Sequence, residues 1–209
     1  MTKCGCKLRQ VLFLFMGALI LFLSACEEEK TRMVYELNEF DNLSAATYGP
    51  FSEMIDEQFS YLKYVVIRQE TDTAVNRQMC YELMHSDTTS LNDSIINNYE
   101  GANEASLNLD FKFETIPEVR LITREELNSY EDWEGFHSNH PGAKGVIILN
   151  LPGFNDDSTK ALFEYSWRAG NTTDGDYIVY LEKGQGVWQI AAHEPAGTSG
   201  SPCPASPPP

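Results

Sequence analysis

The sequence predicts an α+β domain in which helices near the amino terminus pack on an antiparallel meander sheet. Three observations point to it. Phe51, Ile55, Phe59, Leu62 and Val66 recur at helical spacing. Leu107, Leu109, Phe111 and Phe113 alternate with polar residues at the strand period. Beyond them, short apolar runs are separated by turns too brief for crossover helices, which favours antiparallel neighbours. With 209 residues, 42% hydrophobic and 22% charged, the chain can bury one core and carry appendages.

The first appendage begins with Lys3, Lys7 and Arg9, followed by residues 11–23, VLFLFMGALILFL, a run of 13 without a charge. Coiled as a helix it reaches about 20 Å at a rise of 1.5 Å per residue. A bilayer core needs roughly 30 Å. The run is therefore short for a permanent span and suits a cleavable export signal, ending in Leu23-Ser24-Ala25-Cys26. These four residues resemble the lipobox of bacterial lipoproteins. That resemblance implies that residues 1–25 leave as a signal peptide, that the Cys26 thiol takes diacylglycerol, and that the new amine is acylated with a palmitate-type chain. Two or three acyl chains exceed the one-chain limit for stable attachment, so the membrane is the expected partner. Losing the signal removes three positive charges and takes the formal charge from −16 to −19.

Residues 26–50 are expected as lipidated cysteine and tether. Glu27-Glu28-Glu29-Lys30 would be repelled by an anionic headgroup layer and hold the chain off the surface. An acidic run after the lipid cysteine also resembles the surface-export signal of Bacteroidetes lipoproteins. The absence of Asp beside Cys26 resembles outer-membrane sorting. The address implied is the bacterial cell envelope, at the outer membrane, on its periplasmic or surface face.

Gly49-Pro50 is expected to end the tether, because Pro fixes φ and disfavours helix in the residue before it. The domain is then expected over 51–193, opening with the Phe51 helix, for which Ser52 is placed as cap. Two short helices are expected between residues 71 and 104, divided by Ser86-Asp87-Thr88-Thr89-Ser90, and then the 107–113 strand. Thr123-Arg124-Glu125-Glu126 has capping-box spacing, with a short helix starting at Glu125. Residues 146–149, 161–167, 177–182 and 187–192 read as strands, and Lys183-Gly184-Gln185-Gly186 closes the last hairpin. Residues 194–209, rich in Pro, Gly and Ser, are expected to be a disordered tail. Besides Cys26 the mature chain holds Cys80 and Cys203, whose pairing the sequence leaves open.

The stretch from Asn92 to Ile190 resembles a group of uncharacterised secreted bacterial proteins. The shared features are Trp133 and Phe136, Pro141 and Gly145, Gly153-Phe154-Asn155, Ala161-Leu162, Gly175 and Gly186-Val187-Trp188. Asn171-Thr172-Thr173 stands where such proteins often carry cysteines. The resemblance brings no activity with it. The closing hairpin also resembles that of the cystatin-like cone of polyketide-cyclase and ketosteroid-isomerase relatives, which implies a helix laid across a curved sheet. In such a cone Trp133, Phe154, Trp167 and Trp188 could line a pocket.

The acidic balance repels polyanions and excludes nucleic acid as a partner. Glu134, His137 and His140 could share one helical turn, but without the H-E-x-x-H order or a third ligand they read as loop residues. Asn155-Asp156-Asp157 and Asp174-Gly175-Asp176 carry hard oxygens of the kind calcium takes, though turns explain them better. There is no G-x-S-x-G motif and no Gly-rich phosphate loop. Glu164, Tyr165, Asp176 and His193 could move protons if the sheet is concave. No catalytic residue, metal or cofactor is assigned, and Cys26 is the one site residue. The expected function is that of a membrane-anchored lipoprotein acting as a binding or structural module, its protein or small-molecule partner unnamed. The alternative is a small hydrolase or isomerase with a pocket between helix and sheet, a reading that a filled interior would remove.

Overall fold

The computed structural model describes residues 35–84, 91–170 and 174–196. Residues 1–34, with the expected export signal, Cys26 and the acidic tract, lie outside the described residues, as do residues 85–90, Asn171-Thr172-Thr173, and residues 197–209 with Cys203. In chain order the elements are α1 (Ala45–Phe59), β1 (Tyr64–Arg68), α2 (Arg77–Met84), α3 (Asp93–Ala102), β2 (Glu118–Ile122), α4 (Arg124–Ser129) and α5 (Trp133–Asn139). Then come β3 (Val146–Leu149), β4 (Gly153–Phe154), β5 (Lys160–Arg168), β6 (Gly175–Gly184) and β7 (Val187–Ala196).

The class is α+β, as expected, but the sheet is mixed rather than an antiparallel meander. Its order is β2-β1-β3-β5-β6-β7, with β4 added beside β5. Strand β1 runs parallel to β2 and β3, while β3, β5, β6 and β7 pair antiparallel. The cause lies in the connections. Between β1 and β2 the chain passes through α2 and α3, and between β2 and β3 through α4 and α5, crossovers long enough to bring a strand back in the same direction.

Helix α1 begins six residues before the expected start at Phe51 and ends at Phe59, with Pro50 inside it. A proline near the amino-terminal end forgoes one backbone bond without stopping the helix, because the buried stripe Tyr48, Phe51, Met54, Ile55 and Phe59 holds it on the sheet. Val66, expected on that helix, lies instead in β1, where Tyr64-Val65-Val66-Ile67 is rich in β-branched residues. The expected tether is also too long. Residues 35–44 already pack on the domain: Asn38 and the Gln69 carboxamide exchange two hydrogen bonds of 2.8 Å, and Asp41 N–H donates to the Asn108 carbonyl at 3.0 Å. At the other end β7 continues to Ala196, past the expected boundary at 193.

The 107–113 segment is extended but forms no ladder strand. Asn108 makes a single bridge to Glu70, Leu109 is buried, and Phe111 is exposed. Thr123 caps α4 through Glu126 N–H at 3.0 Å, as its spacing predicts. The Gln185-Gly186 turn has positive φ at both residues, 52° and 87°, the geometry that closes a tight hairpin between twisted strands.

Side chains of β1 alternate between two cores. Val65 and Ile67 join the large core under α1, whereas Tyr64 and Val66 join a second one with Phe136 and Ala143. On β5, Phe163, Tyr165 and Trp167 meet α1 through Phe51 and Phe59, at ring-centroid distances of 5.0–6.3 Å. Leu162, Glu164, Ser166 and Arg168 consequently point to the opposite face.

Candidate functional site

The space between α1 and the sheet is filled. Phe51, Met54, Ile55 and Phe163 are fully buried there, so the pocket expected in this position is occupied by side chains. The four aromatics proposed to line it are dispersed. Trp167 packs on Phe59, Trp188 lies 6.1 Å from Phe154 and against Gly49, and Trp133 is on α5.

Open space lies on the other sheet face. A cleft of about 520 Å³ is bounded by the β5–β6 surface, by Asn150 and by residues 72–78 leading into α2. Register sets its floor: Ser166 pairs with Asp176, so their side chains and Arg168 share a face. Arg168 Nη2 lies 2.6 Å from Asp176 Oδ1, and Ser166 Oγ donates to the same oxygen at 2.6 Å. Glu164, also in the cleft, accepts the Asn76 N–H at 2.7 Å, and burial raises its carboxyl above the usual range. Behind it the Tyr99 hydroxyl is fully buried with no partner at hydrogen-bond geometry, and burial pushes the Cys80 thiol up to about 12. Such a thiol is held un-ionised and packs as a small apolar group.

A groove of about 680 Å³ adjoins the cleft across Arg168. Its wall is built by the α4–α5 connection: Leu127, Tyr130, Trp133 and Phe136 supply apolar surface, and Glu131, Asp132 and Glu134 stand among them. Asp132 caps α5 by accepting Gly135 N–H at 2.8 Å, which places Trp133 and Glu134 in the first helical turn. Trp133 meets Phe136 edge to face at 5.2 Å. Gly170, at φ +114°, lets the chain pass beside the indole, where an added Cβ would come within 3.5 Å of Trp133 Cδ1.

Tyr130 also belongs to a polar network behind the groove wall. Its hydroxyl donates to Glu126 Oε1 at 2.8 Å and lies 3.0 Å from His140 Nε2, which is 3.3 Å from the same carboxylate oxygen. The Glu126 carboxylate is thus engaged by both Tyr130 and His140. Glu134 and His137 do not join His140, and among the described residues no group of three or more His, Cys, Asp or Glu could hold a metal. Asn155 and Asp157 accept Thr159 and Lys160 donors in the β4–β5 turn, and Asp174 accepts the Ala169 and Gly170 N–H groups. Of the four residues considered for proton transfer, Glu164 and Asp176 meet in the cleft. The Tyr165 hydroxyl bonds His193 Nε2 at 3.0 Å, inside a stack with Tyr177. Sequence reasoning missed Arg168, which β5–β6 register sets beside Asp176, and the Glu126–Tyr130–His140 network, which closes across the α4–α5 turn and whose one local signal is the four-residue spacing of Glu126 and Tyr130.

Comparison with protein-family models, curated proteins and solved structures gives no match.

Proposed function

We propose that this chain is a lipid-anchored protein of a bacterial cell envelope, and that its folded part is a binding module using the groove and cleft on either side of Arg168. The anchor rests on one observation, a 13-residue apolar run too short to span a bilayer with ease that ends in Leu23-Ser24-Ala25-Cys26. The absence of Asp beside Cys26 favours the outer membrane as the address, and the acidic run after it favours export to the surface. Binding is favoured over catalysis by the state of the polar groups. Asp176 is consumed by Arg168 and Ser166, and Glu164 by the backbone of Asn76. Mass spectrometry of the mature amino terminus from isolated membranes tests the anchor: an acylated Cys26 is expected, and an unmodified Met1 would overturn it.

The filled space under α1 removes a hydrolase or isomerase pocket there; an enzyme of that kind acting in the β5–β6 cleft is the second reading, favoured by Glu164, a carboxyl raised by burial at the edge of that cleft. The cystatin-like cone draws support from α1 lying on an antiparallel β5–β7 segment, while the parallel β1 and β2 depart from that outline.

A further inference from the structure

We propose that the groove beside α5 binds an organic ammonium ligand, an amine cation carried on an apolar body, with Trp133 as its platform and Glu131 and Glu134 as its counter-charges. This rests on the reading of the folded part as a binding module and names the ligand class. The groove combines two features that recognise such a cation together. Its wall is aromatic: the half-buried Trp133 and Tyr130 present ring surface that attracts a cation through the ring quadrupole, and the buried Phe136 backs them. Glu131 and Glu134, on either side of Trp133 in the chain, line the same groove, and neither forms an ion pair with any described residue.

The other classes fit less well. Among the described residues the single Lys or Arg on the groove wall is Arg168, whose charge Asp176 takes at 2.6 Å, so among them an anion would find carboxylates and no uncommitted cation. A metal ion would gain nothing from an aromatic wall and lacks a set of donors here. Polyols could stack on Trp133, but they would leave two carboxylates uncompensated. The volume of about 680 Å³ falls within the range of small-molecule sites. A formal charge of −19 after signal removal raises the local concentration of cations around the whole molecule.

The test is titration of the mature chain, purified in neutral detergent, with spermidine, maltotriose and citrate at matched ionic strength. Heat of binding and tryptophan fluorescence are the readouts. Saturable spermidine binding is expected, weakening as salt rises. It should fall about tenfold in Trp133→Ala and several-fold in Glu131→Gln/Glu134→Gln, while Trp133→Phe, which keeps an aromatic face, retains most of it. Should Trp133→Ala fail to fold, the carboxamide pair decides: unchanged spermidine affinity in it overturns the proposal. Trp133-dependent binding of maltotriose or citrate without spermidine also overturns the ammonium assignment and leaves the binding module standing. Binding of none of the three overturns both.

Discussion

Asn103 holds the α3 end to the loop after β3 through three bonds. Its Nδ2 donates to the Tyr99 and Leu151 carbonyls, both at 2.8 Å, and its Oδ1 accepts Leu151 N–H at 2.7 Å. Truncation takes this partner from one buried N–H and two carbonyls. Asn103→Ala is therefore expected to cost about 2–4 kcal/mol in urea unfolding, more than a surface Asn would. Gly153 is as constrained, since any Cβ there would collide with the Tyr99 backbone; Gly153→Ala should cost about 1–3 kcal/mol through overpacking. Glu164 carries a pH signature. Its carboxyl is raised in the folded state, first by burial, so the folded chain binds the proton more tightly than the unfolded one. The stability this confers is complete below the unfolded value and disappears as pH rises through the folded value. Thermal melts from acid to neutral pH should show Glu164→Gln gaining on the native chain as pH rises, since the carboxamide oxygen can still accept Asn76 N–H. A constant offset between the two would contradict that account.

At the level of elements, α1 and β1 organise the domain. Phe51 touches Tyr48, Phe113 and Phe163 at 5.1–6.4 Å, so Phe51→Ala is expected to cost about 3–5 kcal/mol in the same unfolding assay. Strand β1 is paired on both edges and covered on both faces, whereas β7 is an edge. Amide exchange in β1 should therefore be the slowest in the sheet, and outward-facing β7 amides should exchange faster. The later strands were legible in the sequence because turn residues punctuate them and the last hairpin carries a two-residue turn. Strand β1 was not. Its five residues are all buried, so they lack alternation, and Leu62 and Val66 extend the apolar spacing of the preceding helix by coincidence. Parallel pairing leaves no local trace either, since β1 and β2 meet only through a crossover. For the candidate site, Glu164 and Asp176 could be named from sequence, but their meeting with Arg168 follows from β5–β6 register, which composition does not report.

Taken as one molecule, the chain carries an acidic balance of 31 Asp and Glu against 15 Lys and Arg, and the proposed lipid attachment assigns its first residues to export. Under that proposal charge and anchor would act in opposite senses: acyl chains would hold Cys26 in the bilayer, while anionic headgroups would repel Glu27-Glu28-Glu29 and the acidic domain. Metabolic labelling with an alkyne fatty acid, followed by membrane fractionation, tests this arrangement most directly when the native chain is compared with Cys26→Ser. The native chain should take the label and sediment with membranes, and the variant should do neither in its processed form. A native chain that stays unlabelled and soluble would contradict the account.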